Sequence, residues 1–161
     1  MTLSWALYYL AHDPDALKWV QDEVDNVLGG PKSYRPPTME DLPSFKRVRA
    51  IINETLRLRP PAWTVPRWTD NDVKIGEYEV PANTIVEVNL TIIHRNPKYW
   101  KNPNDFIPRR WTEEEETSRH PFAFVPFSAE ARNCVGKNFA IQEMVIALHI
   151  VTGKQIGRAH V

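Results

Sequence analysis

FAFVPFSAEARNCVGKNFAIQE, residues 122–143, is the stretch around which the rest of the chain is organised. It holds the single cysteine, Cys134, with Arg132 two residues before it and Gly136 two after. A helical pattern begins at about Lys137, so the thiol stands just ahead of a helix N-terminus and beside a guanidinium. Both favour the thiolate: the helix through its dipole and open N–H groups, the arginine through its charge. A thiolate held in this way can act as a nucleophile, a redox sensor or a metal ligand. The residues of the stretch alone leave these three open.

Composition narrows the field. The chain has 161 residues, 42% hydrophobic and 25% charged, enough for one globular domain with a core. Twenty basic and twenty acidic residues give a formal net charge of zero, which argues against a nucleic-acid partner. One cysteine excludes an internal disulfide framework and a multi-cysteine zinc site. The longest unbroken apolar run, Trp5–Ala11, is too short to span a bilayer, and no signal peptide is visible. Fourteen prolines against six glycines imply much ordered, extended chain between helices.

Working outward, residues 2–11 read as a helix apolar nearly all round, which suits a buried one. Asp13 and Pro14 supply an N-cap and a first helical residue for the next helix, striped by Leu17, Val20, Val24, Val27 and Leu28. Gly29-Gly30-Pro31 stops it, and a polar loop to Pro43 follows. Residues 44–59 form a third helix with Phe45, Val48, Ile51, Ile52 and Leu56 on its apolar face, ended by Pro60-Pro61. Glu54 and Arg57 share a face of it, and taken alone read as a solvated surface pair. Residues 61–68 are extended. Short β segments follow at 73–75, 78–80 and 84–88, then a helical piece over Leu90–His94. Residues 95–121 read as a long irregular segment whose acidic run, Glu113–Glu116, is solvated surface. The last helix runs from about Lys137 to Val151, with Phe139, Ile141, Val145, Ile146 and Leu148 on its apolar faces. The histidines His12, His94, His120, His149 and His160 show no metal-ligand spacing.

In this order the pieces resemble the C-terminal part of a cytochrome P-450, a haem-thiolate monooxygenase. The likeness covers Thr2 to about Ala147. The family's E-x-x-R motif stands as Glu54-Thr55-Leu56-Arg57. Its P-E-R-F stretch is similar to Pro108-Arg109-Arg110-Trp111, with Arg109 where glutamate is usual. Its cysteine-loop motif, F-x-x-G-x-R-x-C-x-G, stands as Phe127, Arg132, Cys134 and Gly136. E-x-x-R alone is weak; the three motifs in order and at this spacing are specific.

The resemblance implies a mainly α fold with small β segments, one partial domain over residues 1–154, and haem b (iron protoporphyrin IX) as cofactor. It makes Cys134 the axial ligand of the iron. It places Arg132 and Arg67 toward the haem propionates, since a guanidinium binds a carboxylate bidentately. It sets Phe127 against the ring near the sulfur, with Gly136 completing the cofactor-binding group. Glu54, Arg57 and Arg110 become a buried structural charge network. Ala62, Trp63, Thr64 and Val65 match a stretch lining the substrate pocket, which hints at an apolar substrate.

The implied parent inserts one oxygen atom of O2 into a small organic substrate, using electrons from an NADPH-dependent reductase. The wording of RPPAWTVPR and HRNPKYW is similar to that of membrane-bound eukaryotic members, fungal ones among them, which implies an endoplasmic reticulum location for the parent. No anchor is visible in this chain.

Three departures qualify the match. Glu130 stands where the motif has glycine, and a β-carbon in a left-handed conformation costs about 1–2 kcal/mol; a carboxylate toward the apolar haem face would add a desolvation cost. The family's oxygen-activating acid–threonine pair falls upstream of Met1, so no catalytic residue is assigned, and Thr2 and Ser4 do not take that role. Gln155–Val161 resembles translated read-through of a sequencing adapter and is set aside. The sequence therefore reads as truncated at both ends. The competing expectation is a non-catalytic haem-binding or structural remnant. A cysteine-nucleophile hydrolase or redox sensor is weaker, because no histidine lies close to Cys134 in sequence.

Overall fold

The computed structural model describes residues 1–33, 35–112 and 119–153. The acidic run Glu113–Glu116 and the tail from residue 155 lie outside them. Four helices form the body: α1 (Thr2–His12), α2 (Pro14–Leu28), α4 (Lys46–Leu58) and α6 (Lys137–Thr152). Two short helices, α3 (Gly30–Ser33) and α5 (Leu90–Ile93), complete the α-helices among the described residues. Strand β1 (Thr64–Trp68) pairs antiparallel with β4 (Ile85–Asn89), from Thr64 opposite Asn89 to Trp68 opposite Ile85. Strands β2 (Val73–Ile75) and β3 (Tyr78–Val80) make a separate hairpin turned at Gly76, whose φ is +61°. Pro66 is accommodated because both strands of a two-stranded sheet are edges. Among the described residues no helix is long and apolar enough to cross a membrane.

The apolar stripes read from the sequence meet in one core. Val20, Val24 and Leu28 of α2 pack with Val48, Ile51, Ile52 and Leu56 of α4, and with Ile141, Val145 and Leu148 of α6. Two helices are less enclosed than their composition suggests. Helix α1 buries only Thr2, Ala6 and Leu10, while Leu7 and Tyr8 are 37% and 50% exposed. On α6, Phe139 and Ile146 face outward, Phe139 at 73% exposure. Both helices lie against neighbours on one side only, so only one stripe of each is covered.

Helix α2 starts as the sequence dictates. The Asp13 carboxylate accepts the Ala16 N–H at 2.9 Å with Pro14 in the first turn, and Gly29 ends the helix at φ +93°. A β-carbon at Gly29 would come within 2.7 Å of the Ser33 carbonyl oxygen.

Helix α4 begins two residues later than its apolar pattern suggests. The preceding Met39–Ser44 forms a 3₁₀ turn containing Pro43, capped reciprocally by Thr38 and Asp41. Phe45 at the N-cap offers no side-chain acceptor. Glu23 of α2 supplies it instead: its carboxylate accepts the N–H groups of Arg47 at 2.8 and 2.9 Å and of Val48 at 3.0 Å. Glu23 is buried, which pushes its pKa up, and the backbone N–H groups act against that rise.

This cap from a neighbouring helix is directly testable. Glu23→Ala strands two amides and should lower stability by about 1–3 kcal/mol in chemical denaturation, whereas Glu23→Gln keeps an acceptor and should lose less.

Candidate cofactor site

The charge network sits beneath the irregular segment. Glu54 and Arg57, one turn apart on α4, are fully buried rather than solvated. Arg57 Nε and Nη2 donate to Glu54 Oε2 and Oε1 at 2.9 and 2.8 Å, a two-pronged pairing. Glu54 Oε1 also accepts from Arg110 Nε at 3.2 Å and from the Ile107 N–H at 2.9 Å. The remaining Arg57 donors reach the carbonyls of His94 at 3.0 Å, Pro103 at 2.6 Å and Asp105 at 2.9 Å. Arg110 donates further to the carbonyls of Lys101 and Asn102. The segment is irregular because its backbone carbonyls bond to guanidiniums in place of a helix or sheet partner.

The sequence reading of this network omitted two tryptophans. Trp111 Nε1 donates to Glu54 Oε2 at 2.8 Å, and the buried Trp100 ring lies under the guanidiniums of Arg57 and Arg110 at 5.0 and 5.9 Å. The signal for Trp111 was present: an indole N–H that goes inside needs an acceptor, and Trp111 adjoins Arg110. Arg109, at the family's glutamate position, instead lies over the Trp19 ring at 4.9 Å.

The cysteine loop is a compact turn ahead of α6. The Ser128 N–H donates to the Val125 carbonyl at 3.1 Å, a 3₁₀ turn covers Glu130–Arg132, and the Cys134 N–H returns to the Phe127 carbonyl at 2.9 Å. The Cys134 carbonyl accepts the first amide of α6, from Lys137, at 3.2 Å. The thiol is thus fixed three residues ahead of that helix and exposed. Gly136 has φ −84°, open to any residue, and a β-carbon there would lie 3.9 Å from Cys134 Sγ, an ordinary contact. Arg67 reaches the loop from β1, donating to Ser128 Oγ at 3.3 Å.

Cys134 and Arg132 open into a cavity of about 560 Å³, within the usual range for cofactor sites. Leu56, Leu90, Phe127, Ala140 and Met144 give it apolar walls. Thr2, Ser128 and Glu143 complete its polar lining beside Cys134 and Arg132, and the apolar walls with a thiol and a guanidinium fit a flat, apolar macrocycle that carries a thiolate-binding metal and carboxylates. Ala62 and Val65 border the same cavity. Trp63 and Thr64, named with them from sequence, do not; Trp63 is 57% exposed. Arg67 does not border it either, and acts on the loop through Ser128.

Glu130 adopts φ +53°, and Ser128 adopts φ +64°. The motif's glycine position is therefore left-handed here, and the backbone strain expected of a glutamate is present. The expected desolvation is not: the Glu130 side chain is exposed and does not border the cavity, because the 3₁₀ turn points it outward.

The cytochrome P-450 family model matches residues 1–152. The chain belongs to the cytochrome P-450 family. It is 40% identical over 141 residues to human cytochrome P-450 4V2, covering 88% of this chain and 26% of that protein. It is 36% identical over 146 residues to cytochrome P-450 4c21 of Blattella germanica, covering 91% and 29%. Mouse cytochrome P-450 3A13 is 38% identical over 146 residues, covering 91% and 28%. The chain thus spans about a quarter of the length of these P-450 relatives, and the match extends a few residues past the Ala147 limit expected from sequence.

Two substitutions probe the P-450 site from opposite directions. Arg57→Ala leaves a buried carboxylate without its main partner and should destabilise by about 3–5 kcal/mol, measured by denaturant unfolding. Glu130→Gly removes the left-handed penalty and should stabilise by about 1 kcal/mol, with tighter haem retention in the same preparation. Equal stability and equal haem occupancy of the Glu130 and Gly proteins would refute the strain.

Proposed function

We propose that this chain supplies the thiolate side of a haem monooxygenase. The observation that carries the reading is the convergence of Cys134, Arg132 and apolar walls on one cavity. In this reading Cys134 would hold the iron of haem b through its thiolate, and Phe127 would pack against the macrocycle. Arg132 pairs with a propionate within the cavity. Arg67, which stands outside the cavity lining, would serve that pairing only indirectly, by holding the loop at Ser128. Bound haem supplies activation of O2, which thiolate ligation favours by pushing electron density toward O–O cleavage.

The chain's own residues hold this geometry. The Cys134 N–H bond to Phe127 and the start of α6 fix the backbone that carries the sulfur to the cavity. The Glu54–Arg57–Arg110 cluster holds the segment that packs beside the loop. Ala62 and Val65 offer apolar contact, in keeping with insertion of one oxygen atom into a small apolar organic substrate. An NADPH-dependent reductase would deliver electrons, and the complete protein would reside at the endoplasmic reticulum membrane.

A second reading has one observation in its favour. Glu130 strains the loop that carries the ligand, which suits a haem-binding or structural remnant without turnover. Substrate-dependent NADPH consumption with the reductase present separates the two, since a remnant would consume none.

The deciding measurement is a reduced carbon monoxide difference spectrum of the haem-loaded protein beside its Cys134→Ser variant. A red-shifted Soret band in the parent, lost in the serine variant, is expected. Its absence from a parent that does hold haem would sink thiolate ligation.

A further inference from the structure

His94, the first residue of HRNPKYW, lies outside the three ordered motifs and has no assigned role, yet it joins the charge cluster to the cysteine loop. It follows α5 and is fully buried. Its Nε2 accepts the Val125 N–H at 3.0 Å. A nitrogen that accepts carries no proton, so the proton of the neutral ring resides on Nδ1. Nδ1 makes no hydrogen bond of normal length and angle among the described residues, although the Leu56 and Arg57 backbone lies close enough to the ring to interact weakly. Leaving a buried donor unpaired is unfavourable, and such a group calls for an explanation. The explanation here is the bond made by the opposite nitrogen, which fixes the tautomer.

That bond lies between two parts of the site. On one side, the His94 carbonyl accepts Arg57 Nη1 at 3.0 Å. On the other, Val125 begins the turn that ends at Cys134, through its carbonyl bond to Ser128 and the Phe127 bond to the Cys134 N–H. The Phe124 ring lies against the imidazole at 5.2 Å. Burial first, then the charges of Arg57 and Arg95, hold the ring neutral by lowering its pKa to about 4, against hydrogen bonding from the Arg57 and Leu56 backbone. An imidazolium would set an Nε2–H against the Val125 N–H.

We propose that His94 is a positioning residue for Cys134: its Nδ1–H tautomer ties Val125, and with it the thiolate loop, to the Arg57 cluster. The consequence for iron ligation rests on the function proposed above; the tether itself does not.

The test compares His94→Phe, which has no acceptor, with His94→Gln, whose amide oxygen can take the place of Nε2, in the full chain. Hydrogen exchange of the Val125 amide should quicken roughly tenfold or more in the Phe variant and stay within about threefold of the parent in the Gln variant. In haem-loaded protein, the Phe variant should lose part of its red-shifted Soret band and the Gln variant should keep it. Unchanged exchange in the Phe variant overturns the tether, and faster exchange with an unchanged Soret band overturns the positioning role. If the Phe variant does not fold, nitrogen NMR of labelled histidine in the parent decides. A protonated Nδ1 and a bare Nε2 are expected at neutral pH, and the reverse tautomer or an imidazolium overturns the proposal. If the parent binds no haem, the proposed function fails, while exchange and tautomer still judge the tether.

Discussion

One carboxylate, that of Glu54, sets the terms for the rest of the site. It is fully buried on α4 and accepts from two guanidiniums, an indole and a backbone amide. An ionised carboxylate in such a place is tolerated only when its oxygens are fully engaged. Each partner is therefore constrained in position, and three of them, Ile107, Arg110 and Trp111, belong to the segment that would otherwise have no regular structure. The segment is held over α4 by polar bonds at its inner surface together with a small apolar cluster of Trp100 and Trp111 around Ala50.

The same cluster carries more positive than negative charge. Arg57 and Arg110 are both buried against the single carboxylate, and arginine does not shed its proton. The excess is met by oriented carbonyls from His94, Lys101, Asn102, Pro103 and Asp105, and by the face of Trp100. Dipoles and a ring quadrupole thus take the part of a second anion. Lysine would present neither the fork nor the flat face this arrangement uses.

Much of this was legible in the sequence, and the limits have physical causes. The helices, the β segments and the position of Cys134 ahead of α6 follow from local rules of periodicity, capping and proline placement, and these the chain obeys. Burial does not follow from local rules. Glu54 and Arg57 have the spacing of a surface pair, and only the motif order marked them as interior. Glu23 caps a helix that begins 23 residues further along the chain, a relation no local pattern encodes. The exposure of Leu7, Tyr8 and Phe139 was equally hidden, because an apolar residue in a helix does not announce whether a neighbour covers it. At Glu130 the family pattern located the left-handed position correctly, while the direction of the side chain depended on the 3₁₀ turn that follows.

The guanidinium-bound carbonyls of residues 101–105 have a consequence for how this part of the molecule opens. Because those groups bond to two side chains rather than to a ladder of successive neighbours, the segment cannot fray one step at a time from an end. Withdrawing Arg57 or Arg110 releases several carbonyls together, and keeping either holds several in place. The hold on this segment is thus concentrated in the branching of two side chains.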